Sequence, residues 1–120
     1  MPREFSRNQR LATEVLRTLS ELIRFESKDP RLKHVSLTAV DLPRDLGVAR
    51  VYFSLLDPNE PAAPAQDGLH HASGFLRSRL GKSLQIRHVP ELHFVHDDSA
   101  ERGARIDQLI DDALHTHDEG

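Results

Sequence analysis

Cysteine is absent from this sequence. That excludes a disulfide framework, a thiolate-ligated metal and a thiol nucleophile, and it agrees with a reducing compartment. No apolar run approaches the roughly 20 residues that a membrane span requires. The first residues, Met1-Pro2-Arg3-Glu4-Phe5, lack the apolar core of a signal peptide, so a cytoplasmic protein without membrane contact is expected. Internal repeats and low-complexity runs are also missing. The 120 residues suit one domain with one core, expected to be ordered over about 5–97 and to carry an acidic helix or tail over about 98–120.

What is present is a soluble, globular composition, 38% hydrophobic and 29% charged, which excludes a disordered chain. The net charge of -3 disfavours nucleic acid if taken alone, but the charge is unevenly spread. Residues 1–33 hold eight Lys/Arg against five Asp/Glu, and residues 71–90 hold four against none. The balance is reversed in residues 34–70, two against five, and in residues 91–120, two against nine. A basic face can therefore exist that the acidic C-terminus hides in the total.

The most basic of these stretches runs from His70 to Arg87. Leu69, Ala72, Leu76 and Leu80 recur there at helical spacing, with Arg77 and Arg79 flanking the apolar stripe and Lys82 and Arg87 following. Gly74 inside such a helix costs about 1 kcal/mol relative to Ala, which suggests a bend or a close backbone approach. The ordinary reading is an amphipathic helix with snorkelling cations. The functional reading is a surface for an anion.

The remaining elements follow from periodicity and turn chemistry. Arg7 to Phe25 is predicted to be a helix, with Ser6 or Asn8 as N-cap and Leu11, Val15, Leu19, Leu22 and Ile23 buried. Its other face alternates sign through Arg10, Glu14, Arg17, Glu21 and Arg24, a salt-bridged solvated face; Arg3, Arg7 and Arg10 are less paired. Pro30 ends that helix. Val35–Leu42 and Val48–Leu55 read as strands joined by the turn Pro43–Gly47, hence an antiparallel hairpin. Asp57 to Pro64 is a linker, and the central helix spans about Ala65 to Leu80, ended by Gly81. Gln85 to Val95 reads as a third strand interrupted by Pro90, parallel to the second. A last helix is expected over Glu101–His115, with Ile106, Leu109, Ile110, Ala113 and Leu114 on its apolar face. The fold class is α+β, with a three-stranded mixed sheet covered on one face by helices.

Three stretches carry a family resemblance: Lys28-Asp29-Pro30-Arg31-Leu32, Arg44-Asp45-Leu46 before Ala49-Arg50-Val51-Tyr52, and Ala72-Ser73-Gly74-Phe75-Leu76-Arg77 running to Val89-Pro90-Glu91-Leu92. In this order and spacing the chain resembles ribosome-binding factor A, a family with a type II KH fold. The resemblance implies a single KH-like domain in which an Ala-X-Gly kink between two helices, here Ala72-Ser73-Gly74, replaces the Gly-X-X-Gly loop of other KH domains. It implies binding to the 30S ribosomal subunit and its 16S rRNA late in assembly, support of rRNA precursor processing, growth in the cold and no catalysis. On this reading a monomer without cofactors lays Arg77, Arg79, Lys82 and Arg87 along rRNA phosphates, with Arg3, Arg7 and Arg10 extending the footprint. The short acidic C-terminus departs from any longer basic tail.

Rival readings are weaker. His70, His71, His88, His93 and His96 invite a metal, but adjacent or odd-spaced positions diverge on regular elements. Asp97-Asp98 and Asp111-Asp112 point apart in the same way, and Ser73, Ser78 and Ser83 have no base and orienting acid, so no enzyme is expected. An interaction module docking its basic helix on an acidic protein is the main alternative. Tyr52 and Phe75 are candidate stacking residues.

Overall fold

The computed structural model describes residues 7–98. Its elements are α1 (Arg7–Glu26), a 3₁₀ turn (Pro30–Leu32), β1 (Val35–Asp41), β2 (Val48–Leu55), α2 (Ala63–Leu84) and β3 (Glu91–His96). Arg3, the candidate cap Ser6 and the expected C-terminal helix lie outside the described residues.

The sheet order is β1-β2-β3, with β1 antiparallel and β3 parallel to β2. This is the expected mixed α+β arrangement. Ala49, Val51, Phe53 and Leu55 alternate along β2 and are buried, as are Leu92 and Phe94 on β3. They meet Val15, Leu19, Leu22 and Ile23 of α1 and Leu69, Leu76 and Leu80 of α2 in one core. Arg50 stays exposed on the other face of β2.

Four local expectations are corrected. Asn8 is not a cap but lies inside α1, where its Nδ2 donates to the Pro43 carbonyl at 2.8 Å and ties the helix start to the hairpin. The linker ends earlier than expected, because α2 begins at Ala63 with Pro64 in its first turn, where a missing N–H costs nothing. Gly81 does not end α2. Leu84 continues the stripe of Leu76 and Leu80, and Gln85 closes the helix in the left-handed conformation at φ 52.

The fourth concerns Gly74. Over Ala72-Ser73-Gly74 the chain forms one continuous helix rather than two, and nothing among the described residues lies within 4 Å of a methyl built at Gly74. The close approach that glycine allows occurs instead at Gly81, where the same methyl would come 2.8 Å from Val89 Cγ2. It recurs at Gly68, 3.0 Å from Leu32 Cδ2. Between α1 and β1 the 3₁₀ turn is capped by Asp29, whose carboxylate accepts from the Arg31 backbone at 2.9 Å. The Arg31 guanidinium on the same carboxylate, at 2.8 Å, holds it below the usual carboxylate range.

Candidate nucleic-acid interface

Several elements bring their ends to the hairpin side of the sheet. Asn8 anchors α1 there, Arg7 and Arg44 line one cleft, and Glu91 N–H donates to the Gly47 carbonyl at 3.0 Å. The close packing of Gly81 on Val89 sets the end of α2 beside the approach to β3. Arg7, Arg10, Lys82 and Arg87 therefore share one end of the domain with Arg44. All five are exposed and have no ion-pair partner among the described residues. Asp41, Asp45 and Glu91 lie among them, and Asp45 spends one oxygen on the Gly47 N–H at 2.9 Å. Sequence reasoning placed Arg44 in the turn and among the residues of the family resemblance, but not in the cationic footprint.

Arg77 and Arg79 occupy a different position. Arg77 Nε donates to the Pro90 carbonyl at 3.0 Å, and its Nη2 to the Val89 carbonyl at 2.9 Å. Gln66 Nε2 donates to the Phe94 carbonyl at 2.6 Å. Glu91 and Asp97 direct their N–H groups to β2, so the two-residue period turns the backbone of Pro90, Leu92 and Phe94 outward. Arg77 and Gln66 thus cover the outer edge of β3 from α2, an edge that would otherwise offer unpaired backbone groups. Gln66 was not foreseen, since nothing in its sequence context marks an edge contact.

Arg79 reaches the Glu26 carboxylate at 2.6 Å and lies over the Phe75 ring at 5.7 Å. On α1, Arg17 is held by Glu14 at 2.6 Å and Glu21 at 3.2 Å, which raises its pKa through those hydrogen bonds. Arg24 is not part of that network. It sits over Phe25 at 5.3 Å. Together with Lys28 and Lys33 it lines a cleft of about 530 Å³ between the end of α1 and β1.

The histidines are dispersed over unrelated contacts. His34 pairs with Glu60 at 3.0 Å, His93 lies 3.5 Å from Glu91, and His96 packs on Phe53. Among the described residues no three His, Asp or Glu side chains are grouped to hold a metal. No helix among them is long and apolar enough to cross a membrane.

Tyr52 is half-buried on the sheet face away from the helices, and its carbonyl accepts from Thr38 Oγ1 at 3.3 Å. Ser73 and Gly74 border a cleft of about 470 Å³ between α2 and β3, while Ala72 packs against the core. Arrangements of this kind, cations on helix ends around a small sheet, suit a polyanion better than a small-molecule reaction.

Comparison with known proteins agrees with this fold. The family model for ribosome-binding factor A matches residues 7–110. A ribosome-binding factor A from Aromatoleum aromaticum is 49% identical over 118 residues, covering 98% of this chain and 93% of that protein. The crystal structure of ribosome-binding factor A from Thermus thermophilus superposes with a TM-score of 0.68 at 27% identity, over 76% of this chain and 97% of that one. A Thermus thermophilus ribosome-binding factor A fitted into the cryo-electron-microscopy map of a 30S complex gives 0.58 at 30% identity, over 70% and 88%. Sequence and backbone architecture converge, and the chain belongs to the ribosome-binding factor A family.

Proposed function

We propose that this protein binds the 30S ribosomal subunit through 16S rRNA or its precursor, late in small-subunit assembly, and supports rRNA processing and growth in the cold. The supporting observation is the cationic end of the domain, formed by Arg7, Arg10, Arg44, Lys82 and Arg87. Arg3, which lies outside the described residues, is proposed as a further phosphate contact. These side chains neutralise phosphates, which gives affinity and register without reading sequence. Arg77 and Arg79 contribute through the donors their internal contacts leave over, and Gly74 presents open backbone beside them.

On this reading the domain is a KH-like binding module that acts as a monomer in the cytoplasm. It is not an enzyme. Specificity resides in the folded rRNA surface of an immature subunit, in keeping with RNA recognition by shape. The 30S complex formed by the Thermus thermophilus relative supports the choice of subunit. Gradient sedimentation of cell extract is the test: the protein should travel with free 30S particles and be largely missing from 70S ribosomes. Equal occupancy of 70S would remove the maturation role. Persistence of the association after nuclease digestion would favour an acidic protein partner instead.

A further inference from the structure

The cationic end does not account for a second surface, at the seam between the end of α1 and the middle of α2. Phe25 is 72% exposed there and Phe75 is 43% exposed. Isolated exposed apolar side chains are ordinary. These two are not isolated from each other. Arg79 lies over Phe75 and bonds to Glu26, the neighbour of Phe25, while Arg24 lies over Phe25. Each ring therefore has one face under a guanidinium, which restrains it, and the solvent-exposed remainder available. Arg24 stands over Phe25, Lys28 follows three residues after that ring, and Lys82 follows Arg79 by three residues on α2, while Glu26 is engaged by Arg79. Asp29 adds no unpaired carboxylate, because Arg31 engages it at 2.8 Å.

We infer that Phe25 and Phe75 form a stacking platform for unpaired bases of a single-stranded RNA segment, with Arg24, Lys28 and Lys82 on its phosphates. A π-face accepts any base, and cations beside it take the backbone, so the platform binds flexible RNA with little sequence preference. A neutral apolar partner is disfavoured, because guanidinium groups rather than a neutral rim flank the rings. This inference rests on the proposal that the protein binds RNA, and it adds aromatic contacts that the cationic end lacks, with Lys82 common to both surfaces.

The chain contains no tryptophan, so one introduced indole reports on its own surroundings. Phe25→Trp and Phe75→Trp, each made singly, should bind an unstructured ten-nucleotide RNA as tightly as wild type, and the RNA should quench their fluorescence. Phe25→Leu and Phe75→Leu keep apolar bulk but remove the ring, and each should weaken that RNA at least about five-fold. Unquenched tryptophans at saturating RNA, or leucine variants that bind like wild type, overturn the platform. Leucine variants that bind RNA normally while alanine variants lose 30S association would assign the patch to a protein contact and overturn it too. Co-sedimentation of wild type with 30S particles is read separately. Its failure would overturn the subunit-binding proposal, whereas quenching decides the platform in either case.

Discussion

Gly74 and Gly81 lie on one helix, seven residues apart, and their surroundings predict opposite responses to the same substitution. At Gly74 the position is open, so Gly74→Ala gains helix propensity and should raise stability by about 0.5–1 kcal/mol. At Gly81 the new methyl meets a branched side chain at 2.8 Å, so Gly81→Ala should lower stability by about 1 kcal/mol despite the same propensity gain. Denaturant midpoints of the two variants check the order. A Gly74→Ala protein less stable than Gly81→Ala would restore the view that Gly74 occupies a tight position. Sequence reasoning had placed the constraint at Gly74 because a glycine in a helix reads the same whatever faces it. Cation positions were legible in the same way, but their partners were not. Nothing in the sequence distinguishes Arg77, which reaches two carbonyls, from the exposed Lys82 one turn further along.

Elements were legible where a periodic stripe ran unbroken. Leu19, Leu22 and Ile23 on α1 and the alternation along β2 were read correctly because burial alone sets them. On β1 the apolar residues Val35, Leu37 and Val40 do not keep one parity. The pairing shifts between Leu37 and Ala39, leaving Thr38 as the extra residue of a bulge, and this turns Leu37 and Val40 to the same side. An extra residue is visible only against its partner strand, which is why the sequence reads as plain alternation. The packing of α2 on β3 belongs to the same class. Pro90 signals an edge, but not that Arg77 covers it. Arg77→Ala should therefore act first on the fold: stability falls by about 1 kcal/mol, and hydrogen exchange at Glu91 and His93, whose N–H groups face β2, accelerates. If Arg77→Ala leaves exchange and stability unchanged but weakens 30S binding, its guanidinium serves the RNA rather than the strand edge.

At the scale of the whole molecule, the net charge of -3 opposes a polyanion only if distant charges count equally. They do not, since screening at physiological ionic strength confines each charge to about 8 Å. The cationic end is thus felt locally, and its contribution is measurable as counterion release. Lys82 and Arg87 are the residues on which to measure it, because they are exposed and have no ion-pair partner among the described residues, so their loss leaves the core and the β3 edge intact. Arg77 and Arg79 are unsuitable, each being committed to a partner within the domain. Lys82→Gln with Arg87→Gln should melt like wild type, bind 30S subunits more weakly, and flatten the slope of log affinity against log salt by about 0.7–0.9 for each phosphate no longer neutralised. Arg17→Gln is the control, because its guanidinium is divided between Glu14 and Glu21 and its loss should alter the slope little. Arg24 cannot serve beside it, as it stands outside that network and over Phe25. A folded Lys82/Arg87 variant with unchanged affinity and slope, alongside an Arg17 variant that loses both, would place the rRNA on the solvent face of α1 and away from the hairpin end.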